Sequence, residues 1–140
     1  MKVSLKLIFL VLVLAVNYSC DSSKKEVEAL KDDVISIHDE VMPLMGEVKS
    51  EQKRILKMAD KLQMEDSLGN REVIEAMRKT ASSLEEAYDG MFVWMRQYNG
   101  ELEGLTDEEA ISYLHEQKEK VIKVNEEIKN ALEEAKKIEE

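Results

Sequence analysis

Beyond residue 26, the apolar residues of this chain recur in steps of three and four, in three separate runs. The runs cover residues 27–62, 74–98 and 111–135. This spacing places the apolar side chains of each run on one face of a helix, and repeats of this length are typical of coiled-coil-like packing. The pattern therefore predicts an all-α fold of long amphipathic helices.

Short polar segments separate the three runs. Residues 68–70 lie in the gap between the first and second runs, and a segment with two glycines, 99–104, lies between the second and third. Thr106 and Glu109 have the spacing of a capping box, in which both side chains bond to the backbone at the start of a helix. We predict helices over residues 24–66, 70–98 and 107–138. Because the links are short, we expect antiparallel neighbours in a three-helix bundle.

The first predicted helix contains the only proline of the chain, Pro43. Proline has no amide N–H, so the carbonyl of Asp39 loses its helical partner. We therefore predict that the first helix is kinked at Pro43. If the proline ends the helix completely, the bundle consists of four shorter helices.

The first twenty residues have the features of an export signal. Lys2 and Lys6 precede an apolar run over residues 7–16, and Cys20 follows Ser19. A basic start before an apolar run of this length is typical of a signal peptide, and the run is too short for a membrane span. The end of the segment resembles the lipobox of bacterial lipoproteins, in which the cysteine is acylated and becomes the first residue of the mature chain.

This resemblance divides the chain into a signal peptide at residues 1–19, an acylated Cys20 with a polar tether at 20–25, and a bundle domain at 26–140. It implies a bacterial envelope protein that is held to a membrane by its N-terminal lipid, with the body of the protein outside the cytoplasm. An uncleaved N-terminal anchor gives the same topology. The inner and the outer membrane both fit this interpretation.

Composition and motifs argue against several classes of function. The chain has 20 Lys and Arg against 30 Asp and Glu, a net charge of −10, which opposes binding to nucleic acid. A single cysteine excludes an internal disulfide bond and a multi-thiolate metal site. The sequence contains no Gly-rich phosphate loop and no Glu-x-x-His or His-Glu-x-x-His motif, so no enzyme is predicted.

The chemically distinctive residues of the chain are its 8 methionines, 2 histidines and 1 tryptophan. In antiparallel neighbours, residues at equal distances from the link lie level with each other. This geometry brings seven residues of the three helices into one predicted layer and places Gly90 level with His115. The layer consists of His38, Met42, Met45, Met91, Trp94, Met95 and His115.

Thioether and imidazole groups are suitable ligands for Cu(I) where no thiolate is present. We therefore predict a soft-metal site, with Trp94 as its cover and His115 as an additional ligand. The proposed ligands are His38, Met42, Met45, Met91 and Met95.

Simpler interpretations exist for the same residues. Met91 and Met95 lie on the apolar stripe of the second helix, with Trp94 beside it, and can be core filling. His38 can pair with a neighbouring acid, and His115 can be an ordinary surface residue. A second hypothesis is an interaction module without metal, in which a Met-rich groove binds a helix or an unfolded chain. A third is a structural spacer that has no ligand.

Three segments resemble small lipoproteins of Bacteroidota-type bacteria. They are residues 37–46 (IHDEVMPLMG), 91–96 (MFVWMR) and 113–120 (YLHEQKEK). Some of these lipoproteins carry the label "viral A-type inclusion protein", which says nothing about their role. The resemblance implies an envelope lipoprotein of uncharacterised function and supplies no ligands or partners.

Overall fold

The computed structural model describes the backbone of residues 5–138 and the side chains of residues 22–138. The predicted signal peptide and the side chain of Cys20 therefore fall outside the side chains described. Within these ranges the protein is all-helical, with helices packed against one another. The elements are α1 (Leu5–Val41), a 3-10 turn (Met42–Leu44), α2 (Met45–Asp66), α3 (Arg71–Gln97) and α4 (Asp107–Lys136). No helix found there combines the length and the apolar character needed to cross a membrane.

The hydrophobic core follows the apolar stripes that the sequence predicts. Each helix contributes buried residues at steps of three, four or seven, and burying one such aliphatic side chain completely stabilises the fold by about 1.5–3 kcal/mol. Among the described side chains, those with no exposed surface are Val34, Val41, Val48, Ile55, Ala59, Leu84, Met91, Leu114, Val121, Ile128 and Ala135.

The helices pack in a defined order. α1 packs mainly against α4, α2 mainly against α3, and α3 also packs against α4. Ion pairs join α4 to both halves of the first arm: Lys118 lies 2.6 Å from Asp33 on α1, and Lys136 lies 3.1 Å from Glu47 on α2. α4 therefore runs alongside α1 and then alongside α2.

The capping box predicted for the last helix is confirmed. The Thr106 side chain accepts a hydrogen bond from the N–H of Glu109 at 3.3 Å, and the Glu109 carboxylate accepts from the N–H of Thr106 at 2.8 Å. The two backbone bonds of the box satisfy amide groups that the first turn of a helix leaves without partners. The Glu109 carboxylate accepts from both the N–H and the hydroxyl of Thr106, and these two bonds hold the pKa of Glu109 below its usual range.

The interruption predicted at Pro43 is also present. α1 ends at Val41, and α2 begins at Met45 after a single 3-10 turn. Pro43 occupies the start of that turn, where its missing N–H and fixed φ are tolerated. The first arm of the fold thus consists of α1 and α2 in series, with the turn between them.

Candidate functional site

Three of the predicted ligands flank or form the 3-10 turn in the first arm. His38 lies in the last turn of α1, Met42 opens the 3-10 turn and Met45 opens α2. The N–H of Met45 donates to the carbonyl of Met42, which closes the turn. Met45 is buried, and Met42 is half-buried against the hydrophobic core. The two thioethers therefore lie on the inner side of the break.

One ring nitrogen of His38 is held by the neighbouring carboxylate. Nδ1 lies 2.8 Å from Oδ1 of Asp39, and because a carboxylate offers only acceptors, Nδ1–H is the donor. The other nitrogen, Nε2, is buried and has no hydrogen-bond partner in the described part of the chain. The whole side chain is 15% exposed. Histidines that bind metals are commonly oriented in this way, with a carboxylate on the nitrogen that faces away from the metal.

The His38 ring packs against the indole of Trp94 on α3. The two ring centroids are 5.6 Å apart and the planes are tilted by 36°. Trp94 is only 5% exposed, and its Nε1–H has no acceptor among the residues whose side chains are described. A buried indole N–H normally finds a partner. Two unpaired nitrogens therefore belong to the same pair of rings.

The ring stack continues toward the start of α4. Tyr98 stacks on Trp94 at 5.0 Å and Tyr113 lies 6.5 Å beyond it. The hydroxyl of Tyr98 is buried and unpaired within the described range, and burial raises the pKa of Tyr98, with a further contribution from Tyr113. The Tyr113 hydroxyl accepts from the N–H of Asn99 at 2.7 Å, which ties α4 to the end of α3.

The structure corrects the predicted inner face of α3. Met91 is fully buried, as predicted, but Met95 is 38% exposed and Trp94 occupies the core position in its place. Both choices satisfy a pattern of three- and four-residue steps between Met91 and Tyr98. The large indole has more apolar surface to bury than a thioether has, and in this rotation of the helix it packs against His38 of the first arm.

The structure also corrects the predicted level of His115. His115 is exposed on α4, and the side chain closest to a Cβ placed on Gly90 belongs to Glu127. At the end of α1, α4 instead places Asn125, whose Nδ2 donates to the carbonyl of Ile37 at 2.9 Å and to Glu40 at 3.1 Å. α4 is therefore shifted along α3 relative to the prediction.

Three residues of this region were not assigned to the site from the sequence. Asp39 could have been assigned to the site from its position directly after His38. Tyr98 follows Trp94 by one helical turn. Asn125 interrupts the apolar stripe of α4, which is typical of a polar group with a specific buried partner.

The described residues contain no group of three or more His, Cys, Asp or Glu side chains that is arranged to hold a metal ion. The ligands predicted from the sequence in this region, His38 and the methionines, offer an imidazole and thioethers. This is the donor set of a soft, monovalent ion and not of Zn²⁺, Mg²⁺ or Ca²⁺.

Comparison of the chain with models of known families, with curated proteins and with solved structures finds no match.

Proposed function

We propose that this chain is a lipid-anchored bacterial envelope protein whose helical bundle binds a soft metal ion, Cu(I). The observation that supports the metal site is the state of His38: Asp39 holds Nδ1, while Nε2 is buried and unpaired in the described range. The likeness to Bacteroidota-type lipoproteins, with acylation at Cys20 after removal of residues 1–19, supports the envelope location. The proposed role is binding and not catalysis.

In this proposal α1 and α2 form one interrupted arm of an antiparallel three-arm bundle. Ion pairs support this arrangement, because their positions on the first arm and on α4 ascend together. α4 then runs parallel to the first arm, and α3 runs antiparallel to both. The break at Pro43 lies in the middle of the first arm, where the metal ligands are.

The proposed ligands are the imidazole of His38 and the thioethers around it. Met42 follows His38 by four residues, and Met91 precedes Trp94 by three on the same side of α3. Met45 belongs to the same buried cluster as Met91 and Trp94. The Trp94 ring would cover the ion, exclude water and contribute a cation–π contact. The exposed Met95 and His115 are left out of this reduced set.

Core packing alone accounts for part of this arrangement. It explains the burial of Met45 and Met91, since methionine is a common core filler. It does not explain His38, because a buried nitrogen without a partner costs about 1–3 kcal/mol. A bound ion would give this nitrogen a partner and remove that cost.

Cu(I) binding can be measured on the full chain reconstituted in zwitterionic lipid nanodiscs. Cu(I) is added under reducing conditions in competition with a Cu(I) chelator, and the fluorescence of Trp94, the only tryptophan, is followed. We expect saturable quenching, and a loss of affinity of at least about tenfold in the double variant His38→Ala, Met42→Leu.

The chain offers a matched control for this experiment. His115→Ala, Met95→Leu removes the same two residue types from exposed positions and should leave the affinity unchanged. Absence of quenching together with absence of chelator competition would contradict the metal site, as would equal losses in both double variants. The anchor is tested separately: Cys20→Ala should abolish incorporation of labelled fatty acid, and retained label would contradict acylation at that residue.

A further inference from the structure

The hairpin of α2 and α3 extends beyond the end of α4. Arg54 on α2 marks the level at which α4 stops, because its guanidinium donates to the carbonyls of Ala135 and Ile138, each at 3.1 Å. α2 continues from Arg54 to Asp66, a further rise of about 18 Å at 1.5 Å per residue. α3 then returns alongside it from Arg71.

This extension contains an open cavity of ≈ 950 Å³, and the described residues that line it come from α2 and α3 only. Its apolar lining defines what we call the hairpin groove: Leu56, Met58, Leu62, Met64 and Met77. Arg54 lies at one end of the cavity, directly below the C-terminus of α4. The groove therefore continues the path that α4 follows between the other two helices.

Apolar side chains of the groove are less buried than the sequence pattern predicts. Met58 and Leu62 continue the stripe of Val48 and Ile55, yet they are only half-buried, while the two earlier residues are fully buried. Met64 is 82% exposed. Ala59, between Met58 and Leu62, remains fully buried, so the loss of burial beyond Arg54 is confined to the side of α2 that Met58 and Leu62 occupy. The described lining of the cavity on that side includes no residue of a third helix.

The charge at the groove is opposite in sign to that of the whole chain. Its charged lining consists of Lys53, Arg54, Lys57 and Lys61 against Asp60 and Glu65, in a chain of net charge −10. Asp60 is also engaged by Arg78 at 3.2 Å, whereas Arg54 is paired with Glu51 at 2.8 Å and Lys61 lies 4.0 Å from Glu65. The groove is thus an apolar strip whose cationic rim rests mainly on Lys53 and Lys57, and it attracts anionic partners.

We propose that the hairpin groove binds an amphipathic helix of a partner protein, with acidic residues beside its apolar face. Such a helix would lie where a continuation of α4 would lie, in the helix-in-groove mode of recognition. Methionine side chains adapt to different apolar surfaces, and the lysines would pair with the acidic flanks. A dimer formed groove to groove by two copies of the chain would bring two like-charged rims together. The proposal does not depend on the metal site.

The test uses two labelled amphipathic peptides with the same apolar face, one flanked by Glu and the other by Lys. Their binding to the full chain in zwitterionic nanodiscs is followed by fluorescence anisotropy, with empty nanodiscs as the blank. We expect the Glu-flanked peptide to bind at least about tenfold more tightly. Equal binding of both peptides, or no binding of the Glu-flanked peptide, would overturn the proposal.

Two variants locate the binding surface. Leu62→Gln should weaken binding of the Glu-flanked peptide by about tenfold or more, whereas Ile122→Gln, on the exposed side of α4, should not. The double variant Lys53→Glu, Lys57→Glu should reverse the preference between the two peptides. If this variant still prefers the Glu-flanked peptide, the lysines of the rim do not select acidic partners, and that part of the proposal is contradicted.

Two other occupants would be recognised by their own signals. A concentration-dependent dimer in analytical ultracentrifugation that is abolished by Leu62→Gln would assign the groove to a second copy of the chain. Binding of anionic vesicles with the same sensitivity to Leu62→Gln would assign it to lipid. Either result would overturn the proposal of an acidic partner helix.

Discussion

At the scale of single residues, the two histidines of the chain show how much depends on surroundings. His115 is exposed on α4, where its nitrogens are open to water. His38 has one nitrogen fixed by Asp39 and the other enclosed beside the Trp94 ring. Only the second arrangement orients an imidazole for a ligand before the ligand arrives.

The hydrogen bond from His38 to Asp39 gives a prediction at this scale. Asp39→Ala removes the acceptor of Nδ1–H, so the ring loses its preferred orientation and tautomer. We expect the Cu(I) affinity to fall by about 10–100-fold, measured by chelator competition. The midpoint of urea denaturation should hardly change, because the Asp39 side chain is largely exposed.

The matched control is Asp32→Ala, which removes an exposed carboxylate earlier on α1. This variant has the same change in charge and should keep the affinity of the unaltered chain. If both variants weaken binding equally, the effect of Asp39 is only its charge, and the positioning role is contradicted.

The sequence predicts the buried face of a helix well, but it does not predict which of two adjacent residues on that face is buried. Met91 is in the core as predicted, but the next inward residue is Trp94 and not Met95. The heptad pattern accepts either residue, since steps of three and four are both helical. Only packing against the first arm, where the indole meets His38, distinguishes the two.

At the scale of elements, local chemistry fixes where the helices begin and end. Pro43 interrupts the first arm, and Thr106 with Glu109 starts α4 at the predicted residue. Both signals act within a few residues of the chain, so the sequence alone is enough to predict them. The core stripe through Val34, Val41 and Val48 crosses the interruption without losing its inward direction.

The capping box gives a prediction for α4. Thr106→Ala removes the acceptor of the Glu109 N–H, and we expect the free energy of unfolding to fall by about 0.5–2 kcal/mol in urea denaturation. Thr80→Ala is the comparison, because Thr80 bonds to the carbonyl of Ala76 within α3 and alanine is the better helix former. A loss that is equal in the two variants would mean that the cap contributes nothing of its own.

The alignment of α3 with α4 was beyond prediction from the sequence. The link between them includes Leu102 and Gly104, both with positive φ of 56° and 81°. Such a left-handed backbone directs the chain in a way that a count of link residues does not capture. The predicted pairing of Gly90 with His115 therefore fails, and Glu127 lies beside the glycine.

At the scale of the whole molecule, charged residues join helices whose apolar faces are already packed. Glu40 accepts from Lys129 at 2.6 Å and from Asn125 at 3.1 Å. The bond to Lys129, then the bond to Asn125, hold the pKa of Glu40 below its usual range. The pKa of Glu109 is lowered by its bonds to Thr106.

These two carboxylates predict how stability depends on pH. A carboxyl group with a lowered pKa in the folded state stabilises the fold above its unfolded pKa of about 4.3 and loses this contribution as the pH falls through its folded pKa. The double variant Glu40→Gln, Glu109→Gln should therefore lose less stability between pH 7 and pH 3 than the unaltered chain. Urea midpoints measured across this range provide the comparison.

Acidification also relieves repulsion among the many other acidic residues, so the difference between the two proteins is the informative quantity. Glu126→Gln, Glu119→Gln removes two exposed carboxylates of α4 and is the control for the loss of charge. If it changes the pH dependence as much as the first double variant does, the bonds of Glu40 and Glu109 are not the cause.

The series arrangement of α1 and α2 sets a distance between the two ends of the first arm. Residues 22–41 rise about 30 Å and the 22 residues of α2 rise about 33 Å at 1.5 Å per residue. A chain anchored through Cys20 would hold the hairpin groove as far as about 60 Å from its bilayer, with the His38 region roughly halfway. The distance of the groove from the bilayer would then restrict which proteins can reach it. A partner anchored in the same membrane would need an extended stem of similar length, whereas a partner attached to the opposite layer of the envelope would not.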